Sequence, residues 1–434
     1  MKKINTSPIS GAQELLPALQ QEFDRLKAEI NRVYAGHGFL HIETPVIDRT
    51  EILLAKAGGD TEKQIYKIVK TSEGATEASQ ALRFDHTVPL ARYVVEHSND
   101  LTFPFKVTQI ARNFRGERAQ RGRFREFYQC DVDVIGWNTL SVAYDAEVIA
   151  VLTEALGVLP LPGRYRVRVN NRKILSGLLE SLGLADRTTE ILDIVDHAEK
   201  LPLEKTKAAL AELASADQVA LLMDFIEIRG ERDLAIVKLQ ALGIENTLFN
   251  EGVDELAEVL GLLGSMMAAE APVVADMKIV RGLDYYTGTV FETMLDDYPE
   301  IGSICSGGRY DNLASNYTDQ QMPGVGGSIG LTRLFFVLRE YGAVKESELQ
   351  PIDYCLIPMS SEPQTLDFAN QLATTWRTAG KTVDIVLSDK KLGDKFKYAS
   401  KLAKYAAVIG ENEVNSRSVQ VKDLATGEVA TLQL

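Results

Sequence analysis

The chain has 434 residues, 45% of them apolar and 25% charged, with a formal net charge of −14. That length predicts two to three globular domains with a core large enough to need no disulfide or metal staple. The excess of acid argues against non-specific nucleic-acid binding. Cys130, Cys305 and Cys355 lie far apart and in no CxxC pair, which fits a reducing compartment and argues against a zinc ribbon. No apolar run approaches the ~20 residues of a membrane span, so the expectation is a cytoplasmic protein with no membrane partner.

Leu19, Phe23, Leu26, Ile30, Val33 and Tyr34 recur at three- and four-residue spacing and predict an amphipathic helix over 14–37, ended by Gly36 and Gly38. Strands are predicted at 39–47, ending at Pro45, then at 82–87, 105–112, 125–136 and 166–170. The pair 105–112 and 125–136 forms a hairpin whose long loop carries most of the arginines. This order predicts an α/β chain of α+β type, with an antiparallel sheet flanked by helices. From about 175 to 265 the composition turns helical, with breaks at Gly230, Gly243 and Gly252. Strands return over 273–310, and a helix follows over 329–341. After a charged linker holding Pro351, a βαβαβ order predicts a small α/β domain. The domains expected are 1–175 and 269–345 as two parts of one core, 176–268 as a helical insertion, and 352–434 at the C-terminus.

The acidic body carries two basic islands. Residues 106–126 hold seven basic residues against Glu117 and Glu126, and residues 389–405 hold six lysines against Asp389 and Asp394. Arginine presents a planar fork suited to phosphate oxygens. On a strand alternate residues share a face, which puts Arg123 with Arg125, and Gln129 with Asp131 and Asp133. Two glycine clusters follow, Cys305–Asp311 and Pro323–Leu334, the second running into a helix with Arg333 one turn in. Glycine pairs let a ligand or another backbone approach closely, and a helix start suits an anion. Neither a Walker GxxxxGK[ST] pattern nor a GxGxxG inside a βαβ unit is present. A bound nucleotide would therefore be held by arginines on an antiparallel sheet. The stretch Arg281–Glu292 adds a fixed cation, an acid and the pair Tyr285-Tyr286 at a turn leading into a strand.

With these segments in place the chain closely resembles the histidyl-tRNA synthetase family of class II aminoacyl-tRNA synthetases, over nearly its whole length. Phe39–Ile47, Arg112–Gly136 and Pro323–Leu334 resemble class motifs 1, 2 and 3. Arg281–Glu292 and Cys305–Asp311 resemble the two histidine-specific signatures, and the last 85 or so residues resemble the anticodon-binding domain. The resemblance implies a class II antiparallel sheet core, a homodimer built through motif 1, and ligation of L-histidine to tRNA(His) through a histidyl-adenylate. ATP is the implied co-substrate and Mg²⁺ is expected with it. It also implies that Arg115 holds the α-phosphate, that Arg123 faces ATP and that Arg333 holds the γ-phosphate. Arg281 would lie against the substrate carboxylate and α-phosphate. Asp85, Thr87 and Gln129 would hold the histidine ammonium, Asp133 and Tyr286 would face the imidazole, and Tyr285 would line the pocket. No metal ligand is assigned.

The physics agrees with those implied roles. A neutral imidazole offers one donor and one acceptor. A pocket that must hydrogen-bond it rejects substrates lacking the partner by roughly 10⁴–10⁵. Departures from the family pattern are Gly11–Pro17 at the start, His86 between Asp85 and Thr87, and Thr332 before Arg333. Two rivals share the resemblance: a non-catalytic regulatory subunit of ATP phosphoribosyltransferase, and an amino-acid sensor binding uncharged tRNA. The presence of both signatures, of residues 352–434 and of Arg115, Arg281 and Arg333 counts against them.

Overall fold

The structure is a computed structural model that describes residues 4–55, 62–69, 78–118, 120–198, 201–267, 273–280, 285–346 and 349–433. In chain order its strands are β1 (Leu40–His41), β2 (Ile47–Arg49), β3 (Lys67–Ile68), β4 (Gln80–Leu82), β5 (Phe105–Phe114), β6 (Glu126–Ile135), β7 (Tyr165–Asn171), β8 (Arg229–Gly230), β9 (Val273–Asp276), β10 (Thr289–Leu295), β11 (Cys305–Tyr310), β12 (Gly324–Ile329), β13 (Ile352–Pro358), β14 (Val383–Ile385), β15 (Ala403–Ile409), β16 (Ser418–Asp423) and β17 (Val429–Gln433). Contacts divide the chain into two compact units, Met1–Glu14 with Leu26–Val344 and Leu15–Arg25 with Lys345–Leu434.

The larger unit is built on a nine-stranded sheet in the order β1-β5-β6-β12-β11-β10-β7-β9-β8. Its six central strands, β5 to β7, pair antiparallel throughout. The parallel pairs β1·β5 and β7·β9 lie outside those six, so the sheet as a whole is mixed. Along β6 the period of two sends Cys130, Val132 and Val134 into the core and leaves Gln129, Asp131 and Asp133 on the other face. The helix Ala143–Gly157 covers the apolar face with Val148, Ile149, Val151, Leu152 and Leu156, all fully buried. Burying each such side chain contributes about 1.5–3 kcal/mol. The long helix Pro17–Gly36 follows the predicted spacing, and its Tyr34 hydroxyl donates to the Cys130 carbonyl at 3.0 Å.

Four predicted elements come out differently. The segment 39–47 is two short strands, β1 and β2, which pair with β5 and β4 respectively. Pro45 supplies no N–H to a ladder, and it lies between the two. The strand predicted over 82–87 stops at Leu82, and Thr87 opens the helix Thr87–Glu96. Asp85 is the reason, since its carboxylate accepts from the Val88 N–H at 3.1 Å and turns the chain into the helix. Gly252 breaks nothing: it lies inside the helix Thr247–Met266, where a Cβ would fall 2.8 Å from the Ile174 backbone nitrogen. The glycine allows that helix to close on Arg172–Ser181. The glycine-rich run before Leu331 is itself strand β12.

The smaller unit carries a five-stranded sheet in the order β14-β13-β15-β16-β17, parallel around β13 and antiparallel beyond β15. Leu356, Phe368, Leu372, Ile409 and Val419 form one core, and Cys355, Ile357, Val386 and Ala399 form another. The short helix Glu411–Ser416 was not legible in the sequence. Among the described residues no helix is long and apolar enough to cross a membrane.

Candidate active site

The polar face of the nine-stranded sheet floors a cavity of about 300 Å³. Its side chains arrive from alternate positions on β6, from the next two strands, the glycine-bearing β12 and β11, and from the turns around Asp85 and Tyr285. Asp133 faces Gly326 across the β6·β12 ladder. A Cβ at position 326 would lie 1.9 Å from Asp133 Oδ1, so only glycine lets that carboxylate lie across the strand. Gly308, the next residue in the same cross-sheet row, leaves room in the same way for the Tyr286 ring.

Carboxylates gather at one end of the cavity. Asp133 Oδ1 accepts from the Tyr310 hydroxyl at 2.8 Å. Burial pushes the Asp133 carboxyl up to about 8, Asp131 and Asp85 adding to the shift and the Tyr310 bond opposing it. Asp85 is pushed up to about 6, again by burial first, with the Val88 N–H and the Arg115 charge opposing. Tyr285 and Tyr286 are raised by burial and by the neighbouring carboxylates, so both hydroxyls stay protonated. Gln129 is pinned at both ends of its amide: Oε1 accepts from Asn113 Nδ2 at 2.7 Å, and Nε2 donates to Ser328 Oγ at 2.8 Å. These groups form a buried place for a cation or a set of N–H donors.

The other end is basic. Arg333 donates from Nε to the Gly122 carbonyl at 3.0 Å and from Nη1 to the Ser303 carbonyl at 2.8 Å. Its pKa is held below the ordinary guanidinium value by burial, then by the Arg123 and Arg115 charges. Arg123 lies 3.5 Å from Glu117 with half its side chain exposed. Arg115 stands between the two ends. It donates to the Phe84 carbonyl at 3.2 Å, lies over the Phe127 ring, and its charge acts on both Asp85 and Arg333. One cavity thus offers acceptors for a cation and fixed charge for a polyanion, with a guanidinium at the junction.

A family model for histidyl-tRNA synthetase matches residues 11–334. The chain belongs to the histidyl-tRNA synthetase family. An anticodon-binding-domain model matches residues 353–434. A histidine–tRNA ligase of Clostridium tetani is 44% identical over 439 residues, covering 100% of this chain and 98% of that one. The crystal structure of histidyl-tRNA synthetase from Nostoc sp. PCC 7120 superposes with a TM-score of 0.88 at 36% identity, over 99% of this chain and 97% of the other. A Bacillus halodurans structure titled as an ATP phosphoribosyltransferase regulatory subunit/histidyl-tRNA synthetase has a TM-score of 0.76 at 22% identity, over 94% and 98%. At that identity it shows the shared fold alone.

The structure brings together Asp85, Thr87, Arg115, Arg123, Gln129, Asp133, Tyr285, Tyr286 and Arg333, which all line the cavity. Arg281 lies outside the described residues. Arg125 does not share the face of Arg123: its guanidinium leaves the cavity to hold the Glu117 and Ser10 carbonyls at 2.9 and 3.3 Å. The alternation fails because β6 begins only at Glu126. Thr332 accepts from the Tyr128 N–H at 2.7 Å and steadies the start of β6. Sequence reasoning missed Tyr310 and Ser328. Both were in reach, since each lies two residues from a pocket-facing glycine on its strand and period two gives them the same face.

Proposed function

We propose that the chain ligates L-histidine to tRNA(His) with ATP, through a histidyl-adenylate, releasing AMP and pyrophosphate. The observation that carries this reading is the two-ended cavity with Arg115 at its junction. The amino acid's cationic parts suit the carboxylate end and the triphosphate suits the arginines, which places the amino-acid carboxylate beside the α-phosphorus. Carboxylate, phosphate and transition state are all anionic, so fixed positive charge and positioning supply the rate.

In this reading Asp85, Thr87 and Gln129 hold the ammonium, Asp133 and Tyr286 meet the imidazole, and Tyr285 closes the side of the pocket. Arg115 holds the α-phosphate, Arg333 the γ-phosphate, and Arg123 the outer part of ATP. Arg281 adds charge at the reacting carboxylate. Mg²⁺ would come with the triphosphate as part of the substrate. The cavity fits this, since Glu117 is the carboxylate beside the arginines and Mg²⁺ commonly takes one or two carboxylates plus phosphate oxygens and water.

The loop 116–122 would face the tRNA acceptor end, and the smaller unit, with its lysine-bearing helix Leu392–Leu402, the anticodon. The chain would work as a cytoplasmic homodimer joined through 39–47. The exposed apolar side chains of Leu40, Val46 and Ile47 support that interface, and three buried, unpaired thiols support a reducing compartment. Histidine-dependent ATP–pyrophosphate exchange followed by charging of tRNA(His) tests the central reading. Absence of exchange with the purified chain would sink it and favour a regulatory subunit instead.

A further inference from the structure

Asp131 belongs to none of the roles above, yet it lies between Gln129 and Asp133 on β6, lines the cavity and is 4% exposed. Its Oδ2 is 2.9 Å from Nδ1 of His86, a side chain buried completely. A carboxylate oxygen only accepts, so Nδ1 carries the hydrogen. The backbone that carries the imidazole is held in place, because the His86 carbonyl accepts from the Leu90 N–H at 3.0 Å and from Gln109 Nε2 at 3.3 Å. Gln109 is itself held by the Thr44 hydroxyl at 2.9 Å. The other oxygen, Asp131 Oδ1, is buried and has no hydrogen-bond partner among the described residues. Leaving such an atom unmatched is costly, and because Asp131 lines the cavity, a donor entering there would relieve it.

We propose that Asp131 is a further amino-acid-binding residue, its Oδ1 accepting an N–H from the substrate's ammonium, and that His86 is the positioning residue that orients it. The inference rests on the amino-acid reading of the cavity given above. The choice of the ammonium follows from which acceptors are already met. Asp133, Tyr310 and Tyr286 surround the imidazole place. The ammonium has three donors; Asp131 lines the cavity with the ammonium's proposed holders Asp85, Thr87 and Gln129, and its Oδ1 is a buried acceptor that no described residue meets.

The test is pyrophosphate exchange by the full chain, with L-histidine as substrate and its des-amino analogue 3-(imidazol-4-yl)propanoate as competitor. In Asp131→Asn the KM for histidine should rise about tenfold, with the KM for ATP within about twofold. The preference for histidine over the des-amino analogue should shrink by the same factor of about ten. An unchanged preference overturns the assignment, whatever happens to overall activity. His86→Leu should mimic the loss, and His86→Asn, which can return an amide N–H to the Nδ1 position, should recover most of it. Equal behaviour of the two His86 variants would make His86 a packing residue and overturn its positioning role. Loss of exchange in the unaltered chain would instead overturn the reading on which the inference rests.

Discussion

The carboxylate end and the arginine end of the cavity differ in how their charges are held. Asp85, Asp131 and Asp133 are nearly sealed from water, crowd one another and are oriented by tyrosine hydroxyls, the Val88 N–H and an imidazole. Arg115, Arg123 and Arg333 are partly exposed, and two of them are oriented by backbone carbonyls. Selectivity is concentrated where groups are desolvated, because an unmet buried hydrogen bond is expensive. At the solvated end each charge is screened, so the set of cations matters more than any one member.

Four substitutions would break or sharpen that contrast. The largest effect is expected at the junction. Arg115→Ala should lower kcat for histidine-dependent pyrophosphate exchange by roughly 10²–10³, the usual scale for removing one group aimed at developing negative charge. A loss under tenfold would dissolve the junction as a distinct place.

Next comes Asp133→Asn, which keeps an acceptor for Tyr310 but cannot ionise to meet a bound cation. Its kcat/KM for histidine should fall by about a hundredfold, one or two good buried hydrogen bonds' worth. The stability effect has the opposite sign. A carboxyl that titrates near 8 when folded and near 4 when unfolded stabilises the fold only while protonated. That contribution is full below about pH 4 and is lost as the pH rises through about 8. Asp133→Asn should therefore raise the Tm of the ligand-free chain at pH 8.5 and flatten the decline of Tm between pH 5 and 8.5. A lower Tm at pH 8.5 would show that Asp133 is not strained by its burial.

Gly326→Ala puts a methyl where Asp133 Oδ1 now lies. Displacing that carboxylate should weaken histidine about tenfold while the KM for ATP stays within twofold, and overpacking should cost about 1–3 kcal/mol of stability. Equal effects on both substrates would mean the strand, not the carboxylate, had moved. The smallest effect belongs to Arg123→Ala. An exposed cation 3.5 Å from Glu117 should change the KM for ATP only two- to threefold, and less at high salt.

Much of the buried end was legible from β6 alone, because a strand's period of two puts Gln129, Asp131 and Asp133 on one face before any partner is known. Its completion was not. Tyr310 reaches Asp133 from β11, and His86 reaches Asp131 from the turn before Thr87–Glu96, and neither distance is set by local spacing. The exposed end was legible in composition but not in direction. Arg123 and Arg125 diverge because the hairpin loop does not follow strand alternation. The same limit explains the split of 39–47, where pairing to two different sheets decides what each residue does.

The row Asp133–Gly326–Gly308 joins strands far apart in the larger unit's sequence, β6 at 126–135 with β11 and β12 at 305–329. Neither glycine brings a side chain of its own, so no pair of neighbouring strands contains a finished pocket. The proposed recognition surface needs β6, β12 and β11 docked together, and pairings so far apart in sequence carry a large loop-closure cost and slow folding. The arginine hairpin, β5 and β6, needs only a local pairing, whereas the proposed histidine pocket needs strands from both halves of the sheet's sequence.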